Sequence, residues 1–200
     1  VPVEELQKRG ILVDRDEATA SARALIDAVE DAVRGRPPGE RPRLVVFGES
    51  VGAYGIETTF GTLDGLTTDL DGALLVGPPF NNPIRNELIA RRDAGTTVWQ
   101  PVYGQGRTVR FAFTPRSLST PNSPWTEPRV VYLQNSTDPI VWWNPDLMFE
   151  RPQWLQGRRA PDVSAGMDWY PFITFWQVTV DMLFANGVPP GHGHRYGANV

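Results

Sequence analysis

The reading of the fold rests on Leu44-Val45-Val46-Phe47-Gly48-Glu49-Ser50-Val51-Gly52-Ala53-Tyr54-Gly55-Ile56-Glu57. Leu44 to Phe47 is a short apolar run that predicts a buried strand, and Ala53 to Glu57 can begin a helix. Between them lies a G-x-S-x-G pattern in the setting it requires: strand, sharp turn, helix. A serine at such a turn is held in a strained backbone conformation and lifted off the end of the sheet. Gly48 and Gly52 are expected where a side chain would collide with the neighbouring helix or strand. The N–H of Val51 then stands at a helix start, where it can face a developing oxyanion. The plainer alternative is an ordinary tight turn.

Upstream, Ala18, Ala22, Leu25, Ile26, Val29 and Val33 recur at helical spacing, so a helix runs from a cap at Asp14 or Asp16 to about Val33. Gly35-Arg36-Pro37-Pro38-Gly39 ends it. Downstream, the helix after the serine turn is expected to reach Leu63. Ala73-Leu74-Leu75-Val76-Gly77 is a second buried strand, closed by Pro78-Pro79. Pro83 to Arg92 is a helix with proline in its first turn. Val98 to Phe113 holds one or two strands around Gly104-Gln105-Gly106. That glycine pair is read as a hairpin turn, since a phosphate loop would need a strand-to-helix setting. Pro115 to Pro128 is loop, and Val130-Val131-Tyr132-Leu133 is a third buried strand.

Residues 142–168 are irregular, rich in proline and tryptophan, and read as a lid-like insertion. Phe172 to Ala185 predicts a helix whose only polar stripe is Thr174, Gln177 and Asp181. Such a helix is expected to be buried on most sides; a lipid-facing or acyl-channel wall is the sharper reading. Asn186-Gly187 closes it, and a glycine-rich loop follows. Short buried strands without alternation, separated by helices, make this an α/β chain: a mostly parallel sheet with helices on both faces. Its site belongs at the carboxyl ends of the strands.

Composition narrows the function classes. The 200 residues suit one domain, and 40% hydrophobic with 21% charged residues describes a globular chain. Net charge is −4, from 19 basic and 23 acidic side chains, and no basic patch stands out, so nucleic acid is not an expected partner. The absence of cysteine excludes disulfides, thiolate catalysis and cysteine-bound zinc. Nineteen glycines and nineteen prolines imply long shaped loops, where sites usually sit. Val1 to Arg9 lacks the apolar core of a signal peptide, and no apolar run is long enough to span a membrane. The start without methionine and the end just after a site loop predict a piece of a longer protein.

A nucleophilic serine needs a base, and the base an orienting acid. The chain has two histidines, His192 and His194, in one loop. Asp138 follows a buried strand directly, whereas Asp146, Asp162 and Asp168 follow none. The chain order is therefore Ser50, Asp138, then His192 or His194. Asp138-Pro139 could instead be a plain turn. The His192-x-His194 pair could bind a metal, but no third ligand lies at a recognisable spacing. Trp142, Trp143, Trp154 and Trp169 are read as packing residues of the lid rather than ligand contacts.

Gly48-Glu49-Ser50-Val51-Gly52, Ser136-Thr137-Asp138-Pro139-Ile140 and Gly191-His192-Gly193-His194-Arg195-Tyr196 resemble the nucleophile, acid and histidine motifs of the α/β-hydrolase superfamily. With Val76-Gly77-Pro78-Pro79 and the Phe175-Trp176-Gln177 helix, the combination resembles an actinobacterial α/β-hydrolase family. The resemblance covers most of the chain from about residue 15 onward. It implies a single catalytic domain over 1–200, incomplete at its N-terminus, in a parent attached to the membrane by sequence outside this chain; the domain itself is expected to be soluble. The superfamily takes a second oxyanion N–H from a loop after an early strand, which is not found in Val1 to Val13. It also expects a strand between acid and histidine, where this chain predicts a helix.

The expected chemistry is cleavage of a carboxylic ester or thioester, on a small acyl ester or lipid-like substrate, with no metal or organic cofactor. Ser50 attacks, His194 is the base with His192 as second choice, Asp138 orients it, and Val51 supplies an oxyanion N–H. His194 is preferred because the superfamily's Gly-x-Gly-His-x-aromatic pattern then places Tyr196 beneath the imidazole. The alternative function is a catalytically inactive interaction domain of a membrane-attached protein.

Overall fold

The computed structural model describes residues 15–197. Its strands β1 (Val45–Glu49), β2 (Gly72–Val76), β3 (Val109–Ala112) and β4 (Arg129–Leu133) form one sheet in the order β1-β2-β4-β3, with every neighbouring pair parallel. Parallel neighbours need long crossovers, and helices supply much of them. Helix α1 (Arg15–Arg34) precedes β1; α2 (Val51–Phe60) and α3 (Leu63–Asp69) join β1 to β2; α4 (Pro83–Ala90) follows β2. Beyond β4 come a single turn, α5 (Pro139–Trp142), and then α6 (Ile173–Leu183). Glu49 stands opposite Val76, and Val76 opposite Leu133, so β1, β2 and β4 end level with one another.

Side chains alternate across a strand, and both faces of this sheet carry packed clusters. Ala73, Leu75, Val109, Phe111, Val130 and Tyr132 pack on one face against Ile26, Ile56, Leu66, Ile84 and Leu88 of the first four helices. Val76, Ala112 and Leu133 lie on the other with Tyr196, flanked by Leu74 and Leu118. Burial on both faces explains why these strands read as apolar runs rather than alternating ones. Helix α1 sits directly on α2, where a Cβ on Gly55 would come within 2.9 Å of the Ala22 Cβ. The Thr19 and Thr58 hydroxyls meet across the same contact at 2.8 Å.

Several expectations are corrected. The first strand is buried on one face only: Val46 packs partly buried against the core, while Val45 and Phe47 are 60% and 57% exposed. β1 ends the sheet, and nothing among the described residues pairs with its outer edge. Leu25 and Val29 of α1 are exposed as well and line, with Val45 and Phe47, an open groove of about 490 Å³. The helix after the serine turn does not run to Leu63. It stops at Gly61, whose φ is +72°, and α3 restarts from Thr62, whose hydroxyl accepts from Gly65 N–H at 3.0 Å. Val98 to Phe113 holds one strand, within the one or two expected, and Gly104–Gly106 is a tight turn across which Val102 meets Arg110 in a single antiparallel bridge.

The largest correction concerns α6. Only Thr174 and Val178 of its residues are buried, while Trp176 is 60% exposed and Phe184 just beyond it 65%. An almost wholly apolar sequence normally means burial; here most of the apolar surface faces outward instead. Beyond Trp142, up to residue 168, the regular structure consists of short turns at Pro145–Met148 and Gln153–Leu155. Among the described residues no helix is long and apolar enough to cross a membrane. A cap at Asp14 and the sought early strand in Val1 to Val13 lie outside the described residues.

Candidate active site

The backbone of β1 delivers Ser50 to the end of the sheet. Ser50 adopts φ 54° and ψ −116°, a conformation that is costly for any residue with a side chain. Its N–H donates to Val76 O at 2.8 Å, pinning the turn to the neighbouring strand end. α2 starts at the next residue, so the N–H of Val51 has no acceptor within its own helix. A Cβ on Gly48 would lie 2.6 Å from Ile56 Cδ1 and 2.7 Å from the Gly52 carbonyl, so the close approach expected there is real. The same expectation for Gly52 is wrong: a Cβ there meets nothing within 4 Å among the described residues.

Asp138 caps α5 and is fully buried. Its Oδ1 accepts from Ile140 N–H at 2.9 Å. Its Oδ2 lies 2.7 Å from Nδ1 of His194, and the Tyr196 hydroxyl donates to that same oxygen at 2.7 Å. His194 is 8% exposed, and its Nε2 is buried with no hydrogen-bond partner among the described residues. Since a carboxylate only accepts, the proton of this contact is on Nδ1, the tautomer in which Nε2 is an acceptor. His192 is exposed and does not meet the acid. Of the two histidines, His194 is therefore the one joined to Asp138.

The other aspartates are engaged elsewhere. Asp168 pairs with Arg151 at 3.0 Å, and Asp162 accepts a short hydrogen bond from the Ser136 hydroxyl, bracing the loop that carries Asp138. Asp146 is exposed in the turn Pro145–Met148, which Asn144 caps. Among the described residues no three His, Asp or Glu side chains are grouped to hold a metal ion. The indole N–H groups of Trp142, Trp143 and Trp169 bond to Asn135 O, the Thr179 hydroxyl and Leu147 O at 2.9, 2.8 and 2.8 Å. Packing with a satisfied N–H is the role expected of them.

Sequence reasoning missed the residue on which His194 sits. Gly77, directly after β2, has φ +54°, and a Cβ there would stand 2.6 Å from Tyr196 Cε2 and 2.8 Å from His194 Cε1. The signal was present as an apolar run ending in Gly-Pro-Pro. The histidine loop is held from three sides: His194 N–H donates to Ala185 O at 2.9 Å, Gly193 N–H to the Thr137 hydroxyl at 3.1 Å, and the Asn135 side chain to Gly193 O at 2.9 Å. Tyr196 meets the imidazole edge-on, centroids 5.7 Å apart at 89°, so it flanks the ring and reaches past it to the acid.

Behind the acid lies a buried charged layer that the sequence did not announce. Arg85 donates through Nε to Gln134 Oε1 at 2.8 Å, and its guanidinium lies 4.9 Å over the Trp142 ring. Burial lowers its pKa to about 10, opposed by the carboxylates of Glu57 and Asp138. Glu57 caps α4 through Oε2, which accepts from Ile84 N–H at 2.7 Å; burial raises its pKa above the ordinary value. Burial, and next the Asp138 charge, push the Tyr196 hydroxyl well above its ordinary value, so it stays a donor.

A family model described as the alpha/beta-hydrolase family matches residues 9–200. No curated protein and no solved structure matches the chain.

Proposed function

The chain belongs to the α/β-hydrolase family, and on that premise we propose that it is a serine hydrolase cleaving a carboxylic ester or thioester. One observation carries the reading. A buried imidazole is bonded through Nδ1 to a buried carboxylate, with Nε2 uncommitted, one strand away from a serine in a strained turn. Ser50 Oγ attacks the carbonyl carbon as its proton passes to His194 Nε2. That proton then goes to the leaving alcohol or thiol. Asp138 fixes the ring and stabilises the imidazolium. The N–H of Val51 donates to the oxyanion. Water, activated by the same imidazole, releases the acid from Ser50.

Residues 142–168 act in this reading as a lid, over a small acyl ester or lipid-like substrate. The mechanism draws on no metal or organic cofactor. Any membrane attachment belongs to sequence outside these 200 residues, as the finer family resemblance implies. A second reading, an inactive interaction domain with the same fold, is favoured by one fact: Ser50 makes no hydrogen bond to His194 Nε2. Such bonds are often long until substrate binds.

Labelling with a fluorophosphonate decides between them, because only an activated serine reacts. The expected result is one label at Ser50, lost in Ser50→Ala together with hydrolysis of p-nitrophenyl esters. Ester turnover by Ser50→Ala at the wild-type rate overturns the assignment, and an unlabelled wild-type chain favours the inactive domain.

A further inference from the structure

Asp138 has more to hold than its one backbone bond can fix. Among the described residues Oδ1 accepts only from Ile140 N–H, and that single bond does not by itself fix the carboxylate plane. Oδ2 has two donors, Nδ1 of His194 and the hydroxyl of Tyr196, each at 2.7 Å. The tyrosine is itself held: its oxygen accepts from Asn135 N–H at 3.0 Å, and it is 1% exposed. Each proton has one direction to go. The carboxylate accepts, the Asn135 N–H donates, and the hydroxyl between them does both. Through its side chain Asn135 also bonds the carbonyl of Gly193, next to the histidine. The hydroxyl thus closes a frame around acid and base that are 56 residues apart in the chain.

We propose that Tyr196 is a positioning residue: its hydroxyl holds Asp138 Oδ2 where His194 Nδ1 needs it. The inference rests on the hydrolase reading above. A second donor fixes the carboxylate plane and disperses charge on Oδ2. Without it, Oδ2 binds the imidazole's proton more strongly, and the protonated ring persists to higher pH. The charged and titratable groups facing this network are Asp138 and Tyr196 beside the imidazole, Arg85 and Glu57 in the layer behind, and Asp162 and Asp181, which line a cavity with Asp138.

Tyr196→Phe keeps the ring that flanks His194 and removes only the hydroxyl. In p-nitrophenyl butyrate hydrolysis, kcat should fall about ten- to a hundredfold, the rate equivalent of losing one hydrogen bond to a charged group. KM should stay unchanged, and the acid limb of kcat/KM should move to higher pH. The low-field proton resonance of the His194 Nδ1–H should shift as well, a readout that needs no turnover. A purely structural tyrosine would lower Tm and leave the acid limb and the resonance in place; that result overturns the proposal. If the wild-type chain labels with fluorophosphonate and Tyr196→Phe behaves like it, Tyr196 alone is wrongly assigned. If the wild type neither labels nor turns over, the hydrolase reading fails, and an unshifted resonance then removes the tyrosine's role too.

Discussion

Replacing Gly77 by alanine tests the seat of the site. The added Cβ would lie 2.6 Å from Tyr196 Cε2 and 2.8 Å from His194 Cε1. Carbon atoms rest at about 3.5–4.0 Å, so both rings must retreat by roughly 1 Å. The residue must also keep φ +54°, a left-handed conformation that costs a side chain about 1 kcal/mol. Gly61 supplies the control: its φ is +72°, but a Cβ there meets nothing within 4 Å. Gly61 has ψ −35°, outside the left-handed helical well, so Gly61→Ala should cost about 1–3 kcal/mol of backbone strain alone. Gly77→Ala should cost about 2–4 kcal/mol, because overpacking adds about 1–3. Urea unfolding of both variants measures the difference. A displacement of about 1 Å in the imidazole should lower ester hydrolysis about a hundredfold, while Gly61→Ala stays near wild type. If Gly77→Ala loses no more than about 1 kcal/mol, the backbone cost alone, and keeps the wild-type rate, the packing of His194 and Tyr196 on Gly77 is refuted.

Two further outcomes follow from the backbone and from burial. Ser50→Gly should abolish hydrolysis yet raise stability by roughly 1 kcal/mol, since relief of the strain at φ 54°, ψ −116° exceeds the entropy cost of glycine; a less stable variant in urea would contradict the strain. Tyr132 and Tyr196 both stand well above the ordinary value of 10 in the folded chain, mainly through burial. The unfolded chain therefore loses these protons first. Their contribution to stability is complete below about pH 10 and falls by about 1.4 kcal/mol per pH unit for each tyrosine above it. Alkaline titration should show their phenolate absorbance arriving only with unfolding, and Tyr196→Phe should remove about half of the slope; ionisation of both before unfolding would rule this out.

Much of the site could be read from the sequence because its chemistry is tied to local backbone. Leu44 to Glu57 carries strand, turn and helix in consecutive residues, and the Ser50 turn follows from them. Asp138 is a candidate by its place after β4 and His194 by the aromatic two residues on, and the structure joins these two side chains. The contacts that complete the site run between distant residues: Asn135 with Tyr196 are 61 apart, Asp138 with Tyr196 58. No spacing rule reaches that far, so Gly77 and the tyrosine's hydroxyl stayed hidden. Burial was misjudged for β1 and α6 for one shared reason. An apolar pattern gives the period of an element and the face that avoids water, but not whether a partner lies against that face. Val45 and Phe47 stand on the edge strand with side chains 60% and 57% exposed, and Trp176 and Phe184 are 60% and 65% exposed.

The strand order accounts for how the pieces meet. Chain order alone would put β3 between β2 and β4. The observed order, β1-β2-β4-β3, instead makes the three site-bearing strands immediate neighbours with level ends. Ser50 leaves β1, Gly77 leaves β2 beneath the imidazole, and the Asp138 loop leaves β4. Neighbouring strands are about 4.8 Å apart. With β3 inserted, the acid would sit one spacing further from the ring on Gly77, and the 2.7 Å contact between Nδ1 and Oδ2 would open to about 7 Å, beyond any hydrogen bond. Placing β3 at the far edge keeps acid and base in reach. The histidine loop can then arrive from the end of α6, outside the sheet, through the bond from His194 N–H to Ala185 O. This explains why no strand is needed between acid and histidine: the loop takes its position from Gly77 and from Asn135 and Thr137 of the acid's own loop.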